Sequence, residues 1–128
     1  MNTTITAYDV ILEANDLSPN QYDNDLKLKW LRDLDGKIFQ EIIEPHEDEE
    51  TVERFEEADY DDTGVELLIP MPYARDVYVA YIRSKIAEAN AETDRYNLYA
   101  SAFNAEYGQW AAWYNRTVSM KKYPGWRY

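Results

Sequence analysis

Apolar residues recur at steps of three and four over much of this 128-residue chain, the spacing of one face of an α-helix. A first series, in residues 4–15, places Tyr8, Ile11 and Leu12 on one face. The longest series runs through residues 23–43, and Pro45 is expected to end that helix. Its apolar positions are Leu26, Trp30, Leu31, Leu34, Ile38, Ile42 and Ile43. Charged residues fall largely on the opposite face: Lys27, Lys29, Arg32, Asp33, Lys37 and Glu41.

Two further helices are predicted in the second half of the chain, over residues 73–90 and 94–117. Residues 91–93 either reverse the chain or let one helix run on with a kink. The second of these helices repeats as a heptad, with aromatic residues where leucine is usual. We call these positions the aromatic seam: Tyr96, Phe103, Tyr107, Trp110 and Tyr114, with Ala100 among them. The seam is explained by packing in the core of a bundle; alternatively, part of it stacks on a ligand or partner.

Residues 65–72 have a different pattern, a short apolar run that ends at Pro70 and Pro72. Two prolines exclude a central strand. We expect either a strap across the helices or an edge strand that pairs with a neighbouring subunit. The pattern as a whole predicts an all-α fold, a small bundle of about four helices with an acidic loop and an extended strap. One domain is expected over residues 1–117.

Residues 44–62 are far more acidic than the rest of the chain. The net charge is −12, and eleven acidic residues stand against one base, Arg54, between positions 44 and 62. Such density predicts a solvated, mobile acidic connector over residues 44–64. The functional alternative is a surface that repels another polyanion or meets a basic partner. The strong negative charge argues against a general binder of nucleic acids or anionic membranes.

Residues 118–128 are basic and aromatic, and they contain no acidic residue. Tryptophan, tyrosine and arginine dominate the energetics of protein interfaces. We therefore interpret this segment as a C-terminal docking arm for a partner or subunit; the alternative is a frayed terminus. Its candidate interface residues are Lys121, Lys122, Tyr123, Trp126, Arg127 and Tyr128.

Catalytic and metal-binding motifs are missing from the sequence. There is no cysteine and one histidine, His46, which excludes thiol nucleophiles and His-rich metal sites. Asp59 opens a sequence like an EF-hand loop, but Pro70 stands where the bidentate glutamate is required. Residues 1–11 have neither the basic start nor the apolar block of a signal peptide, so we expect none. No apolar run is long enough to cross a bilayer. We expect no enzyme activity, no cofactor, no metal and no membrane contact.

Six strings, in order, carry a family resemblance that covers most of the chain between residues 11 and 117. They are residues 16–20 (DLSPN), 29–36 (KWLRDLDG), 40–46 (QEIIEPH), 62–72 (DTGVELLIPMP), 86–97 (IAEANAETDRYN) and 102–116 (AFNAEYGQWAAWYNR). Together they resemble the helical head–tail connector proteins (adaptor or head-completion proteins) of tailed phages and prophages. This chain departs from that pattern in its dense acidic connector and in Ala91, where a helix-ending glycine would be comfortable.

The resemblance implies a structural virion protein that forms a ring of about twelve copies at the portal vertex. Such a ring joins the portal protein to a tail or stopper protein and extends the channel for genomic DNA, which passes without specific binding. It implies location in the virion neck, and in the host cytoplasm during assembly. We hypothesise that acidic residues face this channel: Glu47, Asp48, Glu49, Glu50, Glu53, Glu56 and Glu57.

Two other classes of protein stay open. An acidic protein without cysteine can mimic DNA and occupy a basic nucleic-acid site on a host enzyme. That function requires carboxylates on a rigid surface, whereas the acidic segment is expected to be mobile. A plain helical interaction module of phage or prophage origin is the other alternative.

Overall fold

A computed structural model of the chain describes residues 4–46 and 49–122, with side chains as far as residue 117. The predicted all-α bundle is confirmed. Within the described residues, the only β-pairing is an isolated antiparallel bridge between Thr6 and Glu66. The helices are α1 (Ala7–Leu17), α2 (Asn24–Ile38), a π-helical turn (Phe39–Ile43), α3 (Glu44–His46), α4 (Glu49–Glu57), α5 (Ala74–Ala89) and α6 (Thr93–Lys122).

Helices α5 and α6 form an antiparallel helical hairpin, the most extensive helix pair of the bundle. Tyr81 packs on Phe103, with ring centroids 5.2 Å apart, and Tyr73 packs on Trp113 at 5.9 Å. The aromatic seam of α6 points into this interface at its C-terminal half, where Trp110 is 1% and Tyr114 is 5% exposed. This half of the seam is therefore closed within one chain.

The turn between α5 and α6 reverses the chain, which settles the alternative left open by the sequence. Ala91 has φ 57°, in the left-handed region. The N–H of Glu92 bonds the carbonyl of Ala87 at 2.9 Å, and the N–H of Ala91 bonds that of Glu88 at 3.1 Å. These two bonds form a Schellman motif, which usually places glycine at the left-handed position.

Helix α1 packs on α5 through two alanines and two β-branched residues. Its buried residues are Ala7, Val10, Ile11 and Ala14. The predicted apolar face is wrong at Tyr8 and Leu12, which are 52% and 45% exposed. At 3.6 residues per turn, the four buried residues share one face of the helix, and Tyr8 and Leu12 fall outside that face.

Helix α2 does not end at Pro45 as predicted. It continues through the π-helical turn into α3, which contains Pro45. The N–H of Glu44 bonds the carbonyl of Phe39, five residues back. A proline ring clashes with the carbonyl four residues earlier in a regular α-helix, and the wider turn relieves such crowding.

Residues 65–72 form the strap within the chain. The N–H of Leu67 bonds the carbonyl of Ile5, and the N–H of Ala7 bonds the carbonyl of Val65, each at 2.9 Å. Leu67, Leu68 and Ile69 are all buried. Consecutive buried residues require an enclosed segment, and the strap is held between α1, α2 and α5.

Candidate functional site

The acidic segment is more regular than the mobile loop predicted from its charge. Nine of its residues form α4, and the two candidates Glu47 and Asp48 lie outside the described residues. Helix α4 has two faces. Val52 and Phe55 on the inner face pack against the core, and the outer face carries carboxylates. All five candidate residues on this helix are exposed: Glu49, Glu50, Glu53, Glu56 and Glu57.

A stack of two aromatic rings attaches α4 to the bundle. Phe55 lies on Phe39 of the π-helical turn, with centroids 4.3 Å apart and planes 15° apart. Arg54, the one base of the acidic segment, donates from Nη2 to the carbonyl of Leu68 in the strap at 2.7 Å. Nine residues are too few for a stable isolated helix, so these contacts must supply its stability.

Beneath α4 and the strap lies a fully buried carboxylate, Asp35 of α2. One oxygen, Oδ1, accepts from the hydroxyl of Tyr78 at 2.5 Å. The other, Oδ2, accepts from the hydroxyl of Tyr60 at 2.5 Å and from the N–H of Leu68 at 3.1 Å. The Tyr78 oxygen in turn accepts from the N–H of Ile69 at 2.9 Å. Asp35 thus joins α2, α5, the strap and the loop after α4.

Burial is the largest cause of the shifted pKa values in this cluster. It raises the pKa of Asp35 to about 6, although the hydrogen bonds from Tyr60, Tyr78 and Leu68 and the charge of Arg54 all lower that pKa. Burial and the neighbouring Asp35 raise the pKa of both tyrosines far above the ordinary value. Both hydroxyls therefore stay protonated and donate at neutral pH. The enclosed cluster is suited to holding the strap in place.

Sequence reasoning missed Asp35, although its position carried a signal. Asp35 lies four residues after Leu31 and three before Ile38, on the buried face of α2. The prediction that Lys27 lies on the polar face is wrong. Lys27 is 1% exposed, and its Nζ donates to the carbonyl of Tyr22 at 2.9 Å. Desolvation lowers the pKa of Lys27, against an opposing effect of Asp23. Asp35 and Lys27 share one sequence signal: each is a charged residue at a position that helical spacing assigns to the apolar face of α2.

The aromatic seam forms a column of rings along α6 that ends at α3. Phe103 stacks on Tyr107 at 5.5 Å, and Trp110 follows Tyr107 at 5.9 Å. The column ends where Tyr114 meets the edge of His46 at 5.4 Å. Tyr96, Phe103 and Tyr107 are half-buried, in contrast with Trp110 and Tyr114. The seam is mainly a packing surface, with its N-terminal half nearer to solvent.

The predicted docking arm begins on a helix. Helix α6 continues five residues past Thr117 and includes Lys121 and Lys122. The other candidates, Tyr123, Trp126, Arg127 and Tyr128, lie outside the described residues.

Comparisons with protein families, curated proteins and solved structures find no match to this chain. Over residues 4–46 and 49–122, no helix is long and apolar enough to cross a membrane. The same residues contain no group of three or more histidine and carboxylate side chains that could hold a metal ion.

Proposed function

We propose that this chain is a non-enzymatic structural protein of a tailed phage, a head–tail connector that forms a ring at the portal vertex of the virion. The observation that carries the proposal is the outer face of α4. Its five glutamates are exposed, and the Phe55–Phe39 stack holds them in a fixed place on the bundle. A helical bundle with one fixed acidic surface suits a channel wall that must not bind duplex DNA.

Repulsion is the physical basis of this function. A ring of about twelve copies would repeat the glutamates of α4 around the channel. Phosphates and carboxylates repel within the Debye length, about 8 Å at physiological ionic strength. Duplex DNA at the channel axis would meet a uniform barrier at the wall and no specific contact, so that it slides past.

The docking arm supplies the second part of the proposal, attachment to a neighbouring copy, the portal protein or a tail or stopper protein. Replacing Trp126 and Tyr128 by alanine should weaken assembly by about tenfold or more, because these residue types anchor interfaces. Monomer helicity should change little in circular dichroism. A matched control replaces Tyr8 and Leu98, both exposed on helices, by alanine. Equal assembly of the arm variant and the control would contradict a docking role.

Native mass spectrometry over a range of protein concentrations tests the function itself. A closed ring of about twelve copies is the expected result. A monomer or dimer at every concentration would remove the self-assembled ring. The protein would then have to be mixed with a portal assembly, and a failure to bind it would reject the connector function.

An acidic DNA mimic is the second candidate, and the regularity of α4 favours it more than the sequence did. A mimic needs carboxylates on a rigid surface, and α4 supplies five of them on one helix. This function predicts tight binding to a nuclease or restriction enzyme, with an affinity that falls steeply as salt rises. Connector function predicts no such binding.

A further inference from the structure

A cleft of about 360 Å³ lies at the end of the bundle where α1 and α5 stop and α6 begins. Its apolar wall contains Leu17, Ile86 and Ala87. Its polar wall contains Ser18, Arg83, Asn90, Glu92, Arg95 and Tyr99. Two of the thirteen basic residues of an acidic chain therefore line one small cleft.

Arg83 is held in one position by neutral groups. Its Nε donates to Oγ of Ser18 at 2.8 Å, and its Nη2 donates to the hydroxyl of Tyr99 at 2.9 Å. The guanidinium carbon lies 4.2 Å from the centroid of the Tyr99 ring. Among the described residues, Arg83 forms no ion pair. A guanidinium has five N–H donors, so this fixed cation keeps donors for an external anion.

We propose that this cleft is a docking site for a carboxylate-bearing segment of a partner protein, with Arg83 as the residue that receives the carboxylate. The fork of a guanidinium matches the two oxygens of a carboxylate, and a side chain that is already fixed loses little entropy on binding. Leu17, which is 51% exposed, stands beside the arginines and can cover the methylene groups of a bound glutamate. A free phosphate has no apolar group that could pack on Leu17.

The surroundings set the direction of approach. Arg95 is bound to Glu92 at 3.4 Å, but both side chains are exposed, and such surface pairs contribute little and can exchange partners. On the other side of Arg83 a second cleft carries three acidic residues, Glu13, Asp76 and Glu106, which repel an acidic ligand. The ligand would therefore enter from the side of Arg95.

The acidic helix α4 is too far away to cancel the attraction. The cleft lies where Tyr22 donates to Asn90, beside the start of α2, whereas α4 stacks on Phe39 just after the end of α2. Fifteen helical residues separate these points by about 22 Å. The Debye length at physiological salt is about 8 Å, so the field of α4 is screened at the cleft.

The test is fluorescence anisotropy of a fluorescein-labelled heptaglutamate peptide with the full chain at physiological salt. The peptide should bind, and Arg83→Gln should weaken it by about tenfold or more, the effect of losing charge-assisted hydrogen bonds. Ser18→Ala keeps the charge but frees the guanidinium, and should weaken binding by a smaller factor. The matched control Arg32→Gln removes an exposed arginine of α2, 48% exposed, and should leave binding unchanged.

Three results would overturn the proposal. The first is no binding by the wild-type chain. The second is equal binding by wild type and Arg83→Gln. If Arg83→Gln fails to fold, Arg83→Lys replaces it, because lysine keeps the charge but lacks the fork that matches a carboxylate. The third is that inorganic phosphate binds in an Arg83-dependent manner and the peptide does not, which would make the cleft a phosphate site.

Discussion

At the scale of single residues, Asp35 should govern how the stability of the bundle depends on pH. Its pKa is about 6 in the folded chain, against an ordinary value of 3.8. Between these values the unfolded chain releases its proton first, so the free energy of unfolding falls as pH rises. A shift of about two pKa units contributes about 3 kcal/mol to the free energy of unfolding. This contribution is present below pH 4 and lost above pH 6.

The variant Asp35→Asn isolates this contribution because its amide does not titrate. Urea denaturation from pH 3.5 to 7.5 should show wild type losing about 3 kcal/mol relative to the variant. Any constant offset reports the altered hydrogen bonds to Tyr60, Tyr78 and Leu68. Asp33→Asn, at a neighbouring exposed position, is the control and should show no such change. A difference that stays constant over this pH range would contradict the raised pKa.

Ala91 is a second residue whose effect can be predicted alone. A side chain at φ 57° costs about 1–2 kcal/mol, and glycine avoids that cost. Ala91→Gly should therefore raise the free energy of unfolding by about 1 kcal/mol, after allowance for the flexibility of glycine in the unfolded chain. Ala89→Gly, in the last turn of α5, should lower it by about the same amount. Urea denaturation distinguishes the two, and a loss of stability in Ala91→Gly would contradict the expectation.

At the scale of elements, α4 depends on one ring contact. Phe55→Ala removes the stack on Phe39 and should destabilise the chain by about 2 kcal/mol, less than for a fully buried phenylalanine. Hydrogen exchange should become fast at residues 49–57 and stay slow in α5, because a nine-residue helix is unstable without packing. Glu53→Ala, on the exposed face of the same helix, should change little. Unchanged protection of α4 in Phe55→Ala would show that other contacts hold it.

The elements also show which parts of the fold periodicity can predict. Helices α5 and α6 were found because their apolar residues repeat over four turns or more. Helix α4 was missed because only Val52 and Phe55 among its residues are large and apolar, while its charge favours an extended chain. Its partners, Phe39 and the strap, are distant in sequence. The same reason hid the cluster around Asp35, whose members come from four separate segments and meet only after folding.

At the scale of the whole molecule, the acidic face of α4 and the cleft around Arg83 lie at opposite ends of the bundle. The glutamates of α4 lie beyond the end of α2, and the cleft of Arg83 lies beside its start. Because the two sites are separate, a partner can occupy the cleft without covering the glutamates of α4. The outer face of α4 would then be free to face DNA.

Reversing charge on α4 tests that orientation. The changes Glu49→Lys, Glu53→Lys and Glu57→Lys lie on one exposed row and bring the net charge from −12 to −6. If this face lines the channel, the assembled variant should retain a short DNA duplex in a mobility-shift assay, whereas wild type does not. Retention should weaken steeply with salt, because each phosphate contact releases a counterion.

The matched control reaches the same net charge elsewhere, with Asp16→Lys, Asp33→Lys and Glu88→Lys, all exposed positions outside α4. Net charge alone would make both variants bind DNA equally, whereas a channel-facing α4 predicts retention by the α4 variant only. An assembled α4 variant that ignores DNA would place the helix on the outside of the ring. Loss of assembly in the α4 variant alone would place these glutamates between subunits, where their reversal breaks a contact that wild type makes.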